Sequence, residues 1–551
     1  MAKQISEEQI ELLVERLIDR INKANTTFLK SIGSSIKEIR KLTPSQAHQL
    51  VQMLKYGGEY EDIVRQIAKY TNLNIQDIDD IFSNYAKKDQ LFYEKFYEYK
   101  DIPFTLFEQN MALKRQTQAL ANITKQAMYN FTQSNAIGYT INGEFFNLRN
   151  TYEKLLDEAL LNVSQGKETF DQAMSRILKD IGGSGLKYLD YENGKQMRLD
   201  SMTRQYLKDG LRNLHNENQK LIGEEFGADG VEISVHSNPA PDHELVQGRQ
   251  FSNEEFDKFQ NDMDAVSYDG MLFPAISDET GHDRRSISEY NCYHTIFPII
   301  LGVSDPEYSN KQLQQIIDDN NKGFELDGKH YTNYEGTQMQ RKLENKIREQ
   351  KDIQILAKES GETGKELVEE SQYNIMGLTR KYKQLSDISG LPTKAQRTKV
   401  SNYKIQSTKE FDKKVKELYN IGTREENAQL YFKAKRRQEN IQNGEFNLNI
   451  IESKQLVHNI NSDNYVKGKS YFNISLEEEQ ELIYKYAGSG FIPNTQKGNL
   501  TNKEICTTNK IIGTYINKNL NKEIKTNSFV IHYSKDGVHI VPADYREVNK
   551  K

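Results

Sequence analysis

The chain's 551 residues exceed a single domain several-fold, so about two to four folded units are expected. Hydrophobic residues make up 36% and mean hydropathy is -0.79, which excludes one large core serving the whole chain, while 31 Tyr and 23 Phe exclude the aromatic-poor composition of a disordered one. The formal net charge of -5 divides into +3 over 451–551 and -8 over the rest, so a C-terminal region that faces nucleic acid is permitted but not required.

At the start, Ser6 and Gln9 form a capping-box pair, and Ile10, Leu13, Val14, Leu17, Ile18 and Ile21 follow at helical spacing. Short helical patterns fill 44–100. Between Pro103 and Pro239 no proline occurs, and "FEQNMALKRQTQALANITKQAMYNF", "LRNTYEKLLDEALLNVSQG" and "GKQMRLDSMTRQYLKDGLRNLHNENQKLIGEEFG" read as helices separated by glycines. Residues 1–229 are therefore expected as an elongated helical body. At "VEISVH" the pattern alternates like a strand, and the turn-rich "HSNPAPDHELVQGRQFS" follows, so 230–335 is expected as a small irregular α+β unit. Two long helical patterns ending at Gly390 and Pro392 make 336–392 a helical hairpin. The basic, polar 393–445 suits a linker with one helix around "KEFDKKVKELYNIG".

In 446–551, "SLEEEQELIYKYAGSG" is a Ser-capped helix, and "KIIGTYIN", "SFVIHYS" and "GVHIVPA" are strand-like, the last two joined by a "SKDG" turn. The fold class is thus mainly α with a C-terminal α+β domain, a helix on an antiparallel sheet. The longest apolar run, "IFPIILGV", is far short of the roughly 20 residues that cross a bilayer, and "MAKQISEEQ" has no apolar signal core, so no membrane partner is expected. Cys292 and Cys506, the only cysteines, exclude a disulfide framework and point to a reducing compartment.

Three separated motifs carry a first resemblance. They are His236, His243, Gln247 and Gly248; then Asn291, Cys292, His294 and Pro298; then Tyr334, Glu335, Gln338, Gln340, Arg341 and Glu344. In this order they resemble the phage minor capsid protein family, the second minor head proteins of tailed phages, over roughly 1–400. The chain departs from the pattern at Ala240, where many members carry Arg. The resemblance implies a component of the phage head, with portal and capsid proteins as partners. His243, Cys292 and His294 are residue types that ligate zinc, but a structural zinc takes four ligands and no fourth is placed. The cluster of His236, His243, Gln247, Asn291, Cys292 and His294 is read as a hydrogen-bonded structural motif, with no metal and no cofactor expected.

The last hundred residues raise a different chemistry. RNA cleavage without a metal needs a base, an acid and cationic or hydrogen-bonding groups for the phosphorane-like transition state. Residues 451–551 hold His458, His532 and His539 with Lys454, Lys469, Ser470, Tyr533 and Ser534, and pairing "VIHYS" with "VHIVP" puts two histidines on neighbouring strands. The segments "KQLVHNINSDNYVKGKSYF", "YAGSGF", "NKEI" and "SFVIHYSKDGVHIVPA" are similar to the polymorphic-toxin domain of type fifty, assigned to the fold of barnase, colicin and RelE-like ribonucleases, a helix on a four-stranded antiparallel sheet. That resemblance implies a catalytic set of His458, His532, His539, Lys454 and Ser534 and substrate contacts from Gln455, Lys469, Ser470 and Tyr533. The sequence leaves base and acid open among these; the assignment taken is His458 as base, His532 or His539 as acid, and Lys454 or Lys469 on the phosphate.

Three readings follow from the sequence. The first is a head protein of the virion, made in the host cytoplasm, that carries an RNase-like toxin domain with RNA as substrate and an immunity protein as partner. In the second the chain is primarily a nucleic-acid-cleaving effector delivered by the phage. The third is a noncatalytic packaging or ejection factor whose 393–440 segment contacts packaged DNA.

Overall fold

The computed structural model describes residues 7–39, 58–133, 137–141, 143–147, 151, 170–189, 194, 196–276, 284–288, 292, 294–517, 520 and 522–544. It divides the chain into two compact units, 1–160 with 174–404, and 161–173 with 405–551. The class is mainly α with α+β character at the C-terminus.

The first unit is built on α1 (Glu7–Ile39), α2 (Gly58–Phe92), α3 (Met111–Gln133) and α4 (Leu199–Phe226). The Ser6–Gln9 cap lies outside the residues whose side chains are described. The stripe behind it is buried at Val14, Leu17, Ile18 and Ile21 and continues through Phe28, Leu29, Ile32 and Ile36, the face that α1 presents to its neighbours. Part of the interior is ionic instead. Arg198 meets Asp352 at 2.9 Å and Asp200 at 3.3 Å, and Glu11 on α1 pairs with Arg204 at 3.0 Å and with Lys208, both on α4. A modest apolar content is accommodated this way, because buried charges persist only where they are paired.

The expected helical body also contains a four-stranded antiparallel sheet. Its strands are β1 (Ile137–Ile141), β2 (Glu144–Asn147), β3 (Lys187–Leu189) and β4 (Gln196–Arg198), in the order β2-β1-β3-β4. Strands of three to five residues are too short to show a period in sequence. Most of "LRNTYEKLLDEALLNVSQG" lies outside the described residues.

Strand β5 (Gly230–Ile233) pairs with β6 (Gln250–Ser252) and β9 (Ile296–Ile299), and the small hairpins β7 (Ala265–Val266) with β8 (Leu272–Phe273) and β10 (Phe324–Leu326) with β11 (Lys329–Tyr331) complete this region. Its core is Val231, Ile233, Phe251, Phe256, Phe259, Phe273 and Ile296. The region shares a unit with the helices: Phe297 of β9 sets its ring edge-on to His215 of α4 at 5.7 Å, and a side chain at Gly223 of α4 would collide with Pro298. Helices α5 (Asn333–Glu359) and α6 (Lys365–Ser389) form the expected hairpin. A Thr332–Glu335 capping box starts it, Tyr382 bonds Glu344 across it at 2.6 Å, and left-handed Gly390 ends it.

In the second unit the expected linker is largely folded. Beyond residue 404 it forms α7 (Lys409–Leu418) and α8 (Arg424–Gln442), joined face to face by Phe411 stacking on Phe432 at 5.3 Å. Ile441 enters the C-terminal core beside Phe472, Ile483, Phe529, Ile531 and Val538, and Arg437 and Gln442 donate to the Thr501 and Gly488 carbonyls at 2.8 and 2.9 Å. The polar composition of α8 hides this role, since its buried Ala428, Leu430, Tyr431, Phe432, Ala434 and Ile441 do not fall on one helical stripe.

Helix α9 (Leu476–Tyr486) has its predicted cap, Ser475, in a full capping box with Glu478. The strands are β12 (Tyr471–Phe472), β13 (Lys503–Thr507), β14 (Gly513–Asn517), β15 (Lys522–Thr526), β16 (Ser528–Ser534) and β17 (Gly537–Ala543). In place of one four-stranded sheet they make two of three strands, β13-β16-β17 and β12-β14-β15. Pro542 contributes to the division, because it has no N–H to offer a further strand alongside β17. The outer edge of β17 is occupied by non-strand groups. Val538 exchanges hydrogen bonds with Asn449 (2.9 Å) and Ile451 (2.8 Å), and the Gln455 amide binds both the N–H (2.7 Å) and the carbonyl (3.1 Å) of Ile540. Among the described residues no helix is long and apolar enough to cross a membrane.

Candidate functional site

Alternation along β16 sends Phe529, Ile531 and Tyr533 into the core and leaves Val530, His532 and Ser534 on the opposite face. On that face His532 stands directly across from His539 of β17 and, on its other side, from Lys503 of β13. The His532 and His539 rings lie 4.6 Å apart and nearly parallel. His458, from the turn after residues 452–455, adds a third ring 6.5 Å from His539, again nearly parallel. Three segments distant in sequence thus form a row, Lys503, His532, His539 and His458.

His458 is fixed from two sides. Its Nδ1 donates to the Ser470 carbonyl at 2.8 Å, which leaves Nε2 with its lone pair, and the Gln455 clamp on Ile540 holds the preceding turn. Burial lowers the His458 pKa below its ordinary 6.5, helped by the Lys469 charge. Burial takes His532 down to about 4, with His539 and Lys503 adding to it, and takes His539 to about 4, with His458, Lys454 and Lys469 adding to it. The row is therefore a set of neutral imidazoles surrounded by lysines, a surface that gains from an anion: a phosphate would favour both the lysine charges and protonation of the rings.

Not every predicted site residue is on this face. Gln455 is fully buried and serves as the clamp. Ser470 positions His458 through its carbonyl, and its Oγ accepts the Ile516 N–H at 3.1 Å. Ser534 shares the face of His532 but sits at the hairpin end, where its Oγ donates to the Gly537 carbonyl at 2.8 Å. Tyr533 points the other way. Its hydroxyl donates to buried Glu504, which also takes the N–H groups of Gly488 (2.9 Å) and Gly490. The "GSG", "KE" and "HYS" segments thus meet in one buried knot around a carboxylate, and burial raises the Glu504 pKa against the pull of these donors.

A second carboxyl is buried in this unit. Glu479 accepts from Asn459 at 2.9 Å, and burial raises its pKa to about 7. A folded pKa above the unfolded one means that folding takes up a proton. Its stabilising share is complete below about pH 4.5 and is lost as pH rises through 7. Glu479→Gln, which keeps the shape and drops the charge, is expected to raise the melting temperature of the chain at pH 8 and to leave it nearly unchanged at pH 4.5. Calorimetry at the two pH values checks this, and an equal shift at both would contradict the assignment.

In the first unit the other predicted cluster also assembles. Cys292 Sγ lies 3.4 Å from His243 Nδ1 and 3.6 Å from His294 Nδ1. His243 Nε2 meets the Arg285 carbonyl at 2.8 Å, and His294 Nε2 meets Gln247 Oε1 at 3.4 Å, an oxygen that also accepts the His236 N–H at 2.9 Å. The His236 ring packs 4.6 Å from that of His294. Asn291 lies outside the described residues. His236, His243, Cys292 and His294 line a cavity of about 630 Å³ whose far wall is α5, with Gln338, Gln340, Arg341 and Glu344. The three sequence motifs, about 100 residues from first to last, thus converge on one cavity. Sequence reasoning placed them in order but did not bring the α5 residues to the histidines.

Comparison with known families agrees with this division of the chain. The model of the family described as Phage minor capsid protein 2 matches residues 5–387, and that described as Bacterial toxin 50 matches residues 450–542. No curated protein and no solved structure matches the chain.

Proposed function

The chain belongs to the phage minor capsid protein 2 family, and from that premise we propose that it is a virion protein whose C-terminal toxin domain cleaves RNA. The observation that carries the enzymatic part is the row of three imidazoles on one sheet face, bordered by Lys503, Lys454 and Lys469. In-line attack at phosphorus places the incoming 2'-oxygen and the leaving 5'-oxygen on opposite sides of the phosphate. The His458 and His539 rings lie 6.5 Å apart and nearly parallel, close enough for the edges of both to reach one phosphate. His458, with Nε2 unprotonated, takes the proton of the 2'-hydroxyl, and His539 gives one to the 5'-oxygen. His532 and the lysines stabilise charge on the phosphoryl oxygens.

The head-protein part of the proposal has portal and capsid proteins as partners of the first unit, and an immunity protein as the partner of the toxin domain in the producing cell. The packaging reading relied on a free basic segment at 393–440. Most of that segment is folded into the second unit, so it is not the reading favoured here.

Two measurements test the proposal. The purified full chain is expected to cleave RNA in the presence of a chelator, giving 2',3'-cyclic phosphate ends, and an inert chain would overturn the enzymatic part. The protein is expected in purified particles together with portal protein, and its absence from them would overturn the virion part.

A further inference from the structure

We propose that His243, Cys292 and His294 hold one divalent ion of the zinc class, with its fourth position open to the cavity they line. The spacing is the first argument. Zn–S of about 2.3 Å and Zn–N of about 2.0 Å at a tetrahedral angle set sulfur and nitrogen about 3.5 Å apart. The two Sγ to Nδ1 distances are 3.4 and 3.6 Å, and all three ligand atoms lie within 4.8 Å of one another.

The second argument is where the protons go. Each ring meets an oxygen acceptor at Nε2, the Arg285 carbonyl for His243 and the Gln247 side chain for His294. Nε2 is then the protonated nitrogen, and both Nδ1 lone pairs converge on one sulfur. A thiol has a single proton and satisfies only one of them. A metal bound by the thiolate satisfies both, and the acceptors at Nε2 are the outer partners that orient ligating histidines.

Burial supplies the third argument. The three residues are 1 to 3% exposed, yet all line the same cavity, so they close one side of the ion and leave the other accessible through the cavity. One thiolate and two imidazoles select zinc-class ions over magnesium or calcium, which take oxygen ligands. No fourth side chain is needed, since a water or a ligand oxygen in the cavity completes the tetrahedron. Such an ion would tie His243 of the 236–248 loop to Cys292 and His294.

The test uses the full chain. After chelation and dialysis, Co²⁺ titration is expected to saturate at one equivalent, with a near-ultraviolet thiolate-to-cobalt charge-transfer band and the visible bands of a four-coordinate ion; elemental analysis of protein loaded with Zn²⁺ is expected to give one atom per chain. Cys292→Ser is expected to lose the charge-transfer band and to weaken Zn²⁺ binding at least about 100-fold, whereas Cys506→Ser and His458→Ala retain the band and the stoichiometry. Absence of the band from the wild-type chain, a reading that needs no variant to fold, would overturn the proposal. So would its survival in Cys292→Ser, or its loss in Cys506→Ser or His458→Ala chains that unfold at the wild-type temperature.

Discussion

His458→Ala and His539→Ala are each expected to lower RNA cleavage by the full chain about 10²- to 10⁴-fold, the usual contribution of a positioned acid or base. The losses should fall on kcat more than on KM, because the lysines that attract the phosphate remain. Lys469→Ala should do the reverse and raise KM. The pH dependence carries a sign of its own. The base His458 is held below 6.5 and the acid His539 near 4 in the free protein, so kcat/KM is expected to peak below pH 6.5. Bound phosphate favours the protonated rings and moves the kcat optimum up toward neutrality. If His532→Ala proved far more damaging than His539→Ala in steady-state cleavage of a dinucleotide, the acid would have to be reassigned to His532.

Glu504→Ala is expected to be the most damaging stability change in the second unit. It strips three donors, the N–H groups of Gly488 and Gly490 and the Tyr533 hydroxyl, of their common acceptor inside the core. Each buried group left unpaired costs about 1 to 3 kcal/mol, so a loss on the order of 3 to 5 kcal/mol is expected after local relaxation. Glu504→Gln keeps an oxygen for part of the set and should lose less than half as much. Denaturant unfolding, followed by a probe confined to the second unit, measures both. A loss of less than 1 kcal/mol for Glu504→Ala would show that the knot does not hold the loop.

This contrast explains what could be read from the sequence and what could not. Helix starts and stops were legible because their chemistry is local: the Ser475 cap and the Gly390 stop both do what their neighbours announce. The pairing of His532 with His539 was legible too, since a two-strand hairpin around "KDG" fixes its own register. Roles were harder. Motif likeness groups Gln455 and Tyr533 with the histidines, and the structure buries both. For Tyr533 a signal was present, because adjacent residues of a strand face opposite ways and it could not share a face with His532. For Gln455 there was none, since its partner Ile540 lies 85 residues downstream. The 393–445 segment reads as a basic linker with one helix because the burial of α8 depends on α9 and the sheet, and a largely polar helix gives little sign of a partner it has not yet met.

The occupied edge of β17 has a consequence for inhibition. An open sheet edge invites a foreign strand, and strand addition is a common way for one protein to grip another. Here Val538 and Ile540 are already engaged by Asn449, Ile451 and Gln455, and Pro542 has nothing to donate. An inhibitor of the toxin domain has no ladder to extend along that edge. The histidine face is the open alternative beside that edge, and the surrounding lysines make an acidic surface complementary to it. The segment that closes the edge also delivers His458, so displacing it to gain an edge would move His458 away from His539.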